Sequence, residues 1–192
     1  MQRMNRDERG ITGLETAIIL IAFVVVATVF AFIVLTTGIF SAERGKETVY
    51  AGLQKARGTM EVRGGIVVAS TGCPSACEVS SIQFQVSTAA GGDPIPLDPS
   101  ATNNRTVIAY RDAVVVDNDM TYTVTWITGN SDTLLEPGEL ATITVTAAAN
   151  VGTIEDLAAN DRWTLELQTP VGAIVDITRS LPAQLGAVMQ LH

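Results

Sequence analysis

The hydrophobic pattern changes character twice along the chain. After a polar start, residues 17–35 are apolar apart from Thr28. Those 19 residues make about 28 Å of helix, close to the roughly 30 Å of a hydrocarbon core, so the block can span a membrane. Beyond Phe40 the pattern becomes amphipathic. Val49, Leu53, Ala56 and Met60 follow i, i+4, i+7, i+11, a seam that predicts helix to about Glu61. A helix over residues 11–61 would measure about 76 Å, too long for one membrane crossing and suited to packing sideways on other helices. Gly38, Gly45, Gly52 and Gly58 lower its intrinsic stability, and either let neighbouring helices approach or bend the helix at Gly38.

Arg63-Gly64-Gly65 breaks this pattern, and from Ile66 the apolar period is two. Strands are predicted over 66–70, 79–88, 106–116, 121–127, 140–147, 163–169 and 173–179. Tyr122, Val124 and Trp126 alternate with threonines, and Trp163, Leu165 and Leu167 alternate with Thr164, Glu166 and Gln168, so each strand has one face to bury. Seven short strands separated by Gly, Pro, Asn and Asp suggest an immunoglobulin-like β-sandwich whose strand order the sequence leaves open. The expected fold class is therefore α+β. Its parts are a leader over residues 1–10, a polymerisation helix over 11–62 and a β-sandwich outer domain over 63–192.

Charge sharpens the division. Residues 64–192 carry four Arg, no Lys and fourteen Asp or Glu, a net −10. Nucleic-acid binding relies on Lys and Arg to neutralise phosphates, and no basic stripe exists here. A saline exterior would screen such acidity, although an ordinary soluble acidic surface explains it as well. The only His is His192, so a catalytic triad lacks its base, and no Walker loop, dinucleotide fingerprint or paired-His zinc motif occurs. No cofactor is expected. Asp117 with Asp119, or Asp132 with Glu136 and Glu139, offer hard oxygens that could hold a structural Ca²⁺, but neither set has EF-hand spacing, and solvated turn carboxylates are the plainer reading. Cys73 and Cys77 sit four apart, a spacing that closes a small disulfide ring outside the cell and leaves two thiols inside it. Asn104-Arg105-Thr106 is an N-glycosylation sequon.

The polar start carries Arg3, Arg6 and Arg9, as a cytoplasmic n-region does. A secretory cut ending at Ala42 would place Phe40 at a position that wants a small residue, so removal of the apolar block is disfavoured. A cut beside small Gly10 would instead make Ile11 the N-terminus and keep the helix. Glu15 then lies four residues from that new α-amino group. A carboxylate in an apolar run needs a partner. Either the α-amino group of a neighbouring subunit supplies it and sets the axial register, or Glu15 sits at the membrane interface and supports the helix N-terminus.

Arg9-Gly10 followed by Ile-Thr-Gly-Leu-Glu-Thr-Ala-Ile-Ile-Leu-Ile-Ala-Phe-Val-Val-Val-Ala over residues 11–27 resembles the N-terminus of archaellins, the archaeal flagellins. Residues 134–144, with Leu-Leu-Glu-Pro-Gly-Glu-Leu, and 181–192, with Val-Met-Gln-Leu, are also similar to that family. The resemblance implies a cut between Gly10 and Ile11 by a type IV prepilin-like peptidase, with Glu15 as the fifth mature residue. It further implies a membrane-inserted precursor, export and motor machinery as partners, and an extracellular filament of this chain, alone or with paralogous subunits, for swimming. Archaellins are often glycosylated, which points to Asn104. Two other readings share the physics: a type IV pilus-like adhesion filament, and a membrane-anchored binding module.

Overall fold

A computed structural model of the chain describes residues 7–73, 77–130, 132–150, 152, 154 and 156–191, with side chains from Gly13 onward. The chain divides into two compact units, one through Ala51 and one from Gly52. One helix, α1, runs over Asp7–Arg57. Its backbone stays α-helical through Gly38, Gly45 and Gly52. Fifty-one residues correspond to about 76 Å.

The strands are β1 (Met60–Thr71), β2 (Glu78–Thr88), β3 (Ile95–Pro96), β4 (Val107–Arg111), β5 (Val116–Asp117), β6 (Tyr122–Thr128), β7 (Leu134–Leu135), β8 (Leu140–Thr146), β9 (Arg162–Gln168), β10 (Val175–Ser180) and β11 (Val188–Leu191). They form a five-stranded sheet in the order β11-β1-β2-β8-β6, a four-stranded sheet β10-β9-β4-β5, and the two-residue pair β3-β7. All pairings are antiparallel. Setting aside β3, β7 and the added β11, the first sheet reads A-B-E-D and the second G-F-C-C′, which is the immunoglobulin order. The strand order that the sequence left open is thereby fixed.

The alternation read from the sequence is the one that fills the core. Trp163, Leu165 and Leu167 are fully buried, as are Ile143 and Val145 from the facing sheet. Residues of both sheets form one hydrophobic cluster, so the sheets face each other across a shared core.

Three boundaries differ from the sequence reading. The helix stops at Arg57 rather than near 62, and Glu61 belongs to β1. Met60, expected to extend the helical seam, is 1% exposed and part of the sandwich core. The helix ends there because the outer domain supplies partners for its last carbonyls. The Asp93 amide donates to Arg57 O at 2.9 Å, and the Thr169 hydroxyl to Gly58 O at 3.0 Å. Gly58 is also pressed against Gly172: a Cβ on Gly58 would stand 3.1 Å from Gly172 N. The second difference concerns Gly64-Gly65, which lie inside β1 rather than before it. Pairing shifts between Arg63 and Val67, and Gly64 takes φ 74°, so the pair forms a bulge inside β1. The predicted strand 106–116 is likewise divided. The chain turns at Asp112, whose Oδ1 accepts the Val114 and Val115 amides, each at 2.6 Å, before β5 resumes.

Candidate functional site: the N-terminal helix

Helix α1 is apolar around its whole circumference over the block read from the sequence, instead of along one stripe. Within the described side chains none of this block is buried, and the exposed residues include Phe23 at 73%, Phe32 at 69% and Leu35 at 64%. It is long and apolar enough to cross a membrane. Surface of this kind, far beyond scattered single residues, marks contact with lipid or protein.

The hydroxyls in this block and just beyond it are exposed but find their acceptors on their own helix. The Thr28 hydroxyl donates to Val25 O at 2.9 Å, Thr36 to Phe32 O at 2.8 Å and Thr37 to Ile33 O at 2.7 Å. Each hydroxyl satisfies its donor on its own helix, so the outer surface makes no demand that an apolar environment could not meet. Farther along, Arg44 and Glu47 pair at 3.2 Å on an exposed, polar stretch.

Gly10 and Ile11 both lie in the helical backbone, and the Ile11 side chain falls outside the described ones. Glu15 is exposed, and none of the described groups pairs with it. One helical turn separates it from Ile11, about 6 Å of rise.

The remaining candidate residues sit in the outer domain. Cys73 and Cys77 are joined by a disulfide between β1 and β2, the three residues between them lying outside the described set. Asn104 is exposed at φ 54° in the loop before β4, whereas its sequon partner Thr106 is fully buried and donates to Pro96 O at 2.7 Å. The acidic residues act on their own loops. Asp117 Oδ1 accepts the Asp119 amide at 3.0 Å, and Asp119 pairs with Arg105. Asp132 Oδ1 accepts the Leu134 amide at 2.7 Å. Glu139 takes the Asn130 amide on one oxygen and the Glu136 amide on the other, both at 2.9 Å. Among the described residues no group of three or more His, Cys, Asp or Glu gathers as metal ligands. His192 falls outside them.

Sequence reasoning missed the clamp at the helix end. Besides Asp93 and Thr169, the Ala173 amide donates to Thr59 Oγ1 at 3.2 Å, the Ala89 amide to Thr59 O at 3.2 Å, and Arg57 pairs with Asp93 at 2.9 Å. The Thr-Pro-Val-Gly turn after β9 was the only local signal for it.

A long apolar helix leading into an immunoglobulin-ordered sandwich narrows the possibilities, and comparison with known proteins decides among them. The family model of archaeal-type flagellin matches residues 10–179. The chain belongs to that family. "Probable flagellin 1" of Archaeoglobus fulgidus is 35% identical to it over 98% of each chain, and "Probable flagellin 2" of the same organism is 31% identical over 94% of this chain and 93% of its own. Among solved structures, the archaeal flagellum of Methanospirillum hungatei strain JF1 has TM-score 0.62 at 27% identity, covering 93% of this chain and 98% of its own. The crystal structure of an archaeal flagellin from Methanocaldococcus jannaschii shares the fold, with TM-score 0.55 at 14% identity over 69% of this chain and 95% of its own. The flagellin family is one of structural filament subunits, and the α+β architecture described above is the one its solved members show.

Proposed function

We propose that this chain is an archaellum subunit made as a membrane-inserted precursor, cut between Gly10 and Ile11, and polymerised outside the cell through helix α1. The observation that carries this reading is the helix surface: apolar all round, exposed, and with its hydroxyls already satisfied. In lipid that surface is covered by acyl chains, and in a filament by copies of itself. Transfer between the two keeps it out of water throughout, at about 0.8 kcal/mol per CH₂ sheltered. Cleavage creates an α-amino group one turn from Glu15, and pairing of that group with Glu15 of a neighbouring helix sets the axial register.

The role is mechanical rather than catalytic, with the prepilin-like peptidase and the export and motor machinery as partners. Asn104 is the glycan acceptor and is loaded before folding, since the Thr106 hydroxyl is used up inside the folded domain. The loop carboxylates serve as amide caps without calcium, so chelation leaves filament melting unchanged.

Electron microscopy of sheared surface filaments with N-terminal sequencing tests the reading. Filaments whose subunits start at Ile11, from cells that lose swimming when the gene is deleted, are the expected result. A dispersed product lacking residues 17–35, or one still carrying residues 1–10 inside filaments, would sink it.

A further inference from the structure

The arginines of the outer domain fall into two groups. Arg63, Arg105 and Arg111 each meet a carboxylate, Glu61, Asp119 and Glu166 respectively. Arg162, at the start of β9, and Arg179, near the end of β10, meet none among the described residues. Arg162 is exposed. Arg179 is half-buried: its Nη1 donates to Thr178 O at 2.8 Å, while its Nε is buried and has no acceptor among the described residues. Both line a single open groove of about 620 Å³, together with Asn160, Ser180 and Gln190. The groove lies between β10 and β11, which are the outer strands of the two sheets on that side of the sandwich.

Two guanidiniums that meet no carboxylate among the described residues share one groove, and the buried Nε of Arg179 is a desolvated donor with no acceptor there. A carboxylate is the complement that fits, because a guanidinium binds it through two parallel hydrogen bonds. The same chain carries carboxylates in the converse state. Glu78, Asp156 and Asp176 are exposed, and their side chains make no hydrogen bond or ion pair among the described residues. All three lie outside the groove. A donor groove in one place and free acids in others make a heterologous contact, the type that builds an open helical polymer rather than a closed pair.

Resting on the filament reading above, we propose that this groove docks a second copy of the chain in the filament, with Glu78, Asp156 or Asp176 of the neighbour seated between Arg162 and Arg179. The contact lets domains whose residues 64–192 carry net −10 pack side by side. It adds electrostatic specificity to helix packing that is itself non-directional.

The test uses filaments formed by the full chain. Arg162→Glu changes an exposed residue, and circular dichroism of the variant confirms that the outer domain still folds. At about 0.1 M salt the free-subunit concentration in equilibrium with filament should rise roughly tenfold or more. At about 1 M salt, where charges are screened within about 3 Å, the difference should shrink. Arg179→Gln should act in the same direction. Adding Glu78→Arg, Asp156→Arg or Asp176→Arg to Arg162→Glu should restore assembly for one of the three.

Filaments of Arg162→Glu that match the wild type overturn the proposal. So does a defect that is insensitive to salt and rescued by no swap, which would make the arginines guards against edge-strand pairing. Stabilisation of wild-type but not Arg162→Glu filaments by inorganic sulfate would make the groove a free-anion site and overturn it too. If the wild type forms no filament at all, the filament reading fails instead, and is distinguished by that outcome.

Discussion

Gly172 has no room for even one more carbon. A Cβ built there overlaps Gly58 O and Thr169 Oγ1, so the turn after β9 closes on the helix end only because both facing positions are glycine. Gly172→Ala must push the backbone apart and break the bond from Thr169 to Gly58. Overpacking of this kind costs about 1–3 kcal/mol, and the variant should lower the thermal midpoint of the outer domain by several degrees in calorimetry. A midpoint equal to wild type would show that the turn relaxes freely. Tyr122 gives a second test, through pH. Burial pushes its phenol up to about 12, against the lowering effect of Arg105 and with help from Asp98 and Asp119. Its hydroxyl donates to Thr106 O at 2.9 Å. A raised value in the folded state favours the neutral form there. That contribution is therefore complete below the ordinary 10.0 and is lost as pH climbs from 10.0 towards 12. Tyr122→Phe removes the titration with the hydrogen bond. It should cost about 1 kcal/mol at neutral pH yet flatten the fall in melting temperature across that alkaline window.

Elements differ in how openly the sequence announces them, and the reason is how many residues vote. Strand β9, with Trp163, Leu165 and Leu167 inward and polar residues between, was readable because a full period-two run carries its own signal. Strand β11 was not. Its outward Val188 is 72% exposed and its inward Met189 and Leu191 are both apolar, so alternation is blurred, and only the open edge of β1 makes it a strand. The pairs β3 and β7, two residues each, exist solely by meeting one another. The helix end misled for the opposite reason: Met60 continues the helical spacing yet is taken by the sandwich, and spacing cannot report a tertiary competitor. The exposed apolar surface of the helix was legible because it is one contiguous run. The clamp at Thr169 and Gly172 was hidden because it joins positions more than a hundred residues apart. Strand β11 also supplies a prediction. Ending the chain after Ala187 uncovers β1 and removes Met189 and Leu191, two side chains that are now 8% accessible, a loss of about 3–6 kcal/mol of burial. Chemical denaturation should show the midpoint falling accordingly, and an unchanged midpoint would mean that β11 is an ornament on the sheet.

At the scale of the whole molecule, the packed core and the proposed assembly surface are lodged in different residues. The sandwich buries a core of its own, and the described side chains of the apolar block in α1 contribute nothing to it. A charge placed in that block should therefore leave folding alone and abolish polymerisation. Val25 is the position to use: it is 54% exposed and sits in the middle of the run. An aspartate there would have to enter lipid and then a packed helical bundle. The first step alone costs about 2.5–3.5 kcal/mol. The second leaves a carboxylate facing apolar neighbours in every subunit, so the penalty repeats along the filament. Val25→Asp should give cells without surface filaments, although the outer domain melts at the wild-type temperature in the purified chain kept in detergent. Electron microscopy of the cells and calorimetry of the purified chain read the two halves separately. Normal filaments from Val25→Asp would mean that the middle of the helix does not pack against other subunits, and a shifted melting temperature would mean that the helix serves the sandwich after all.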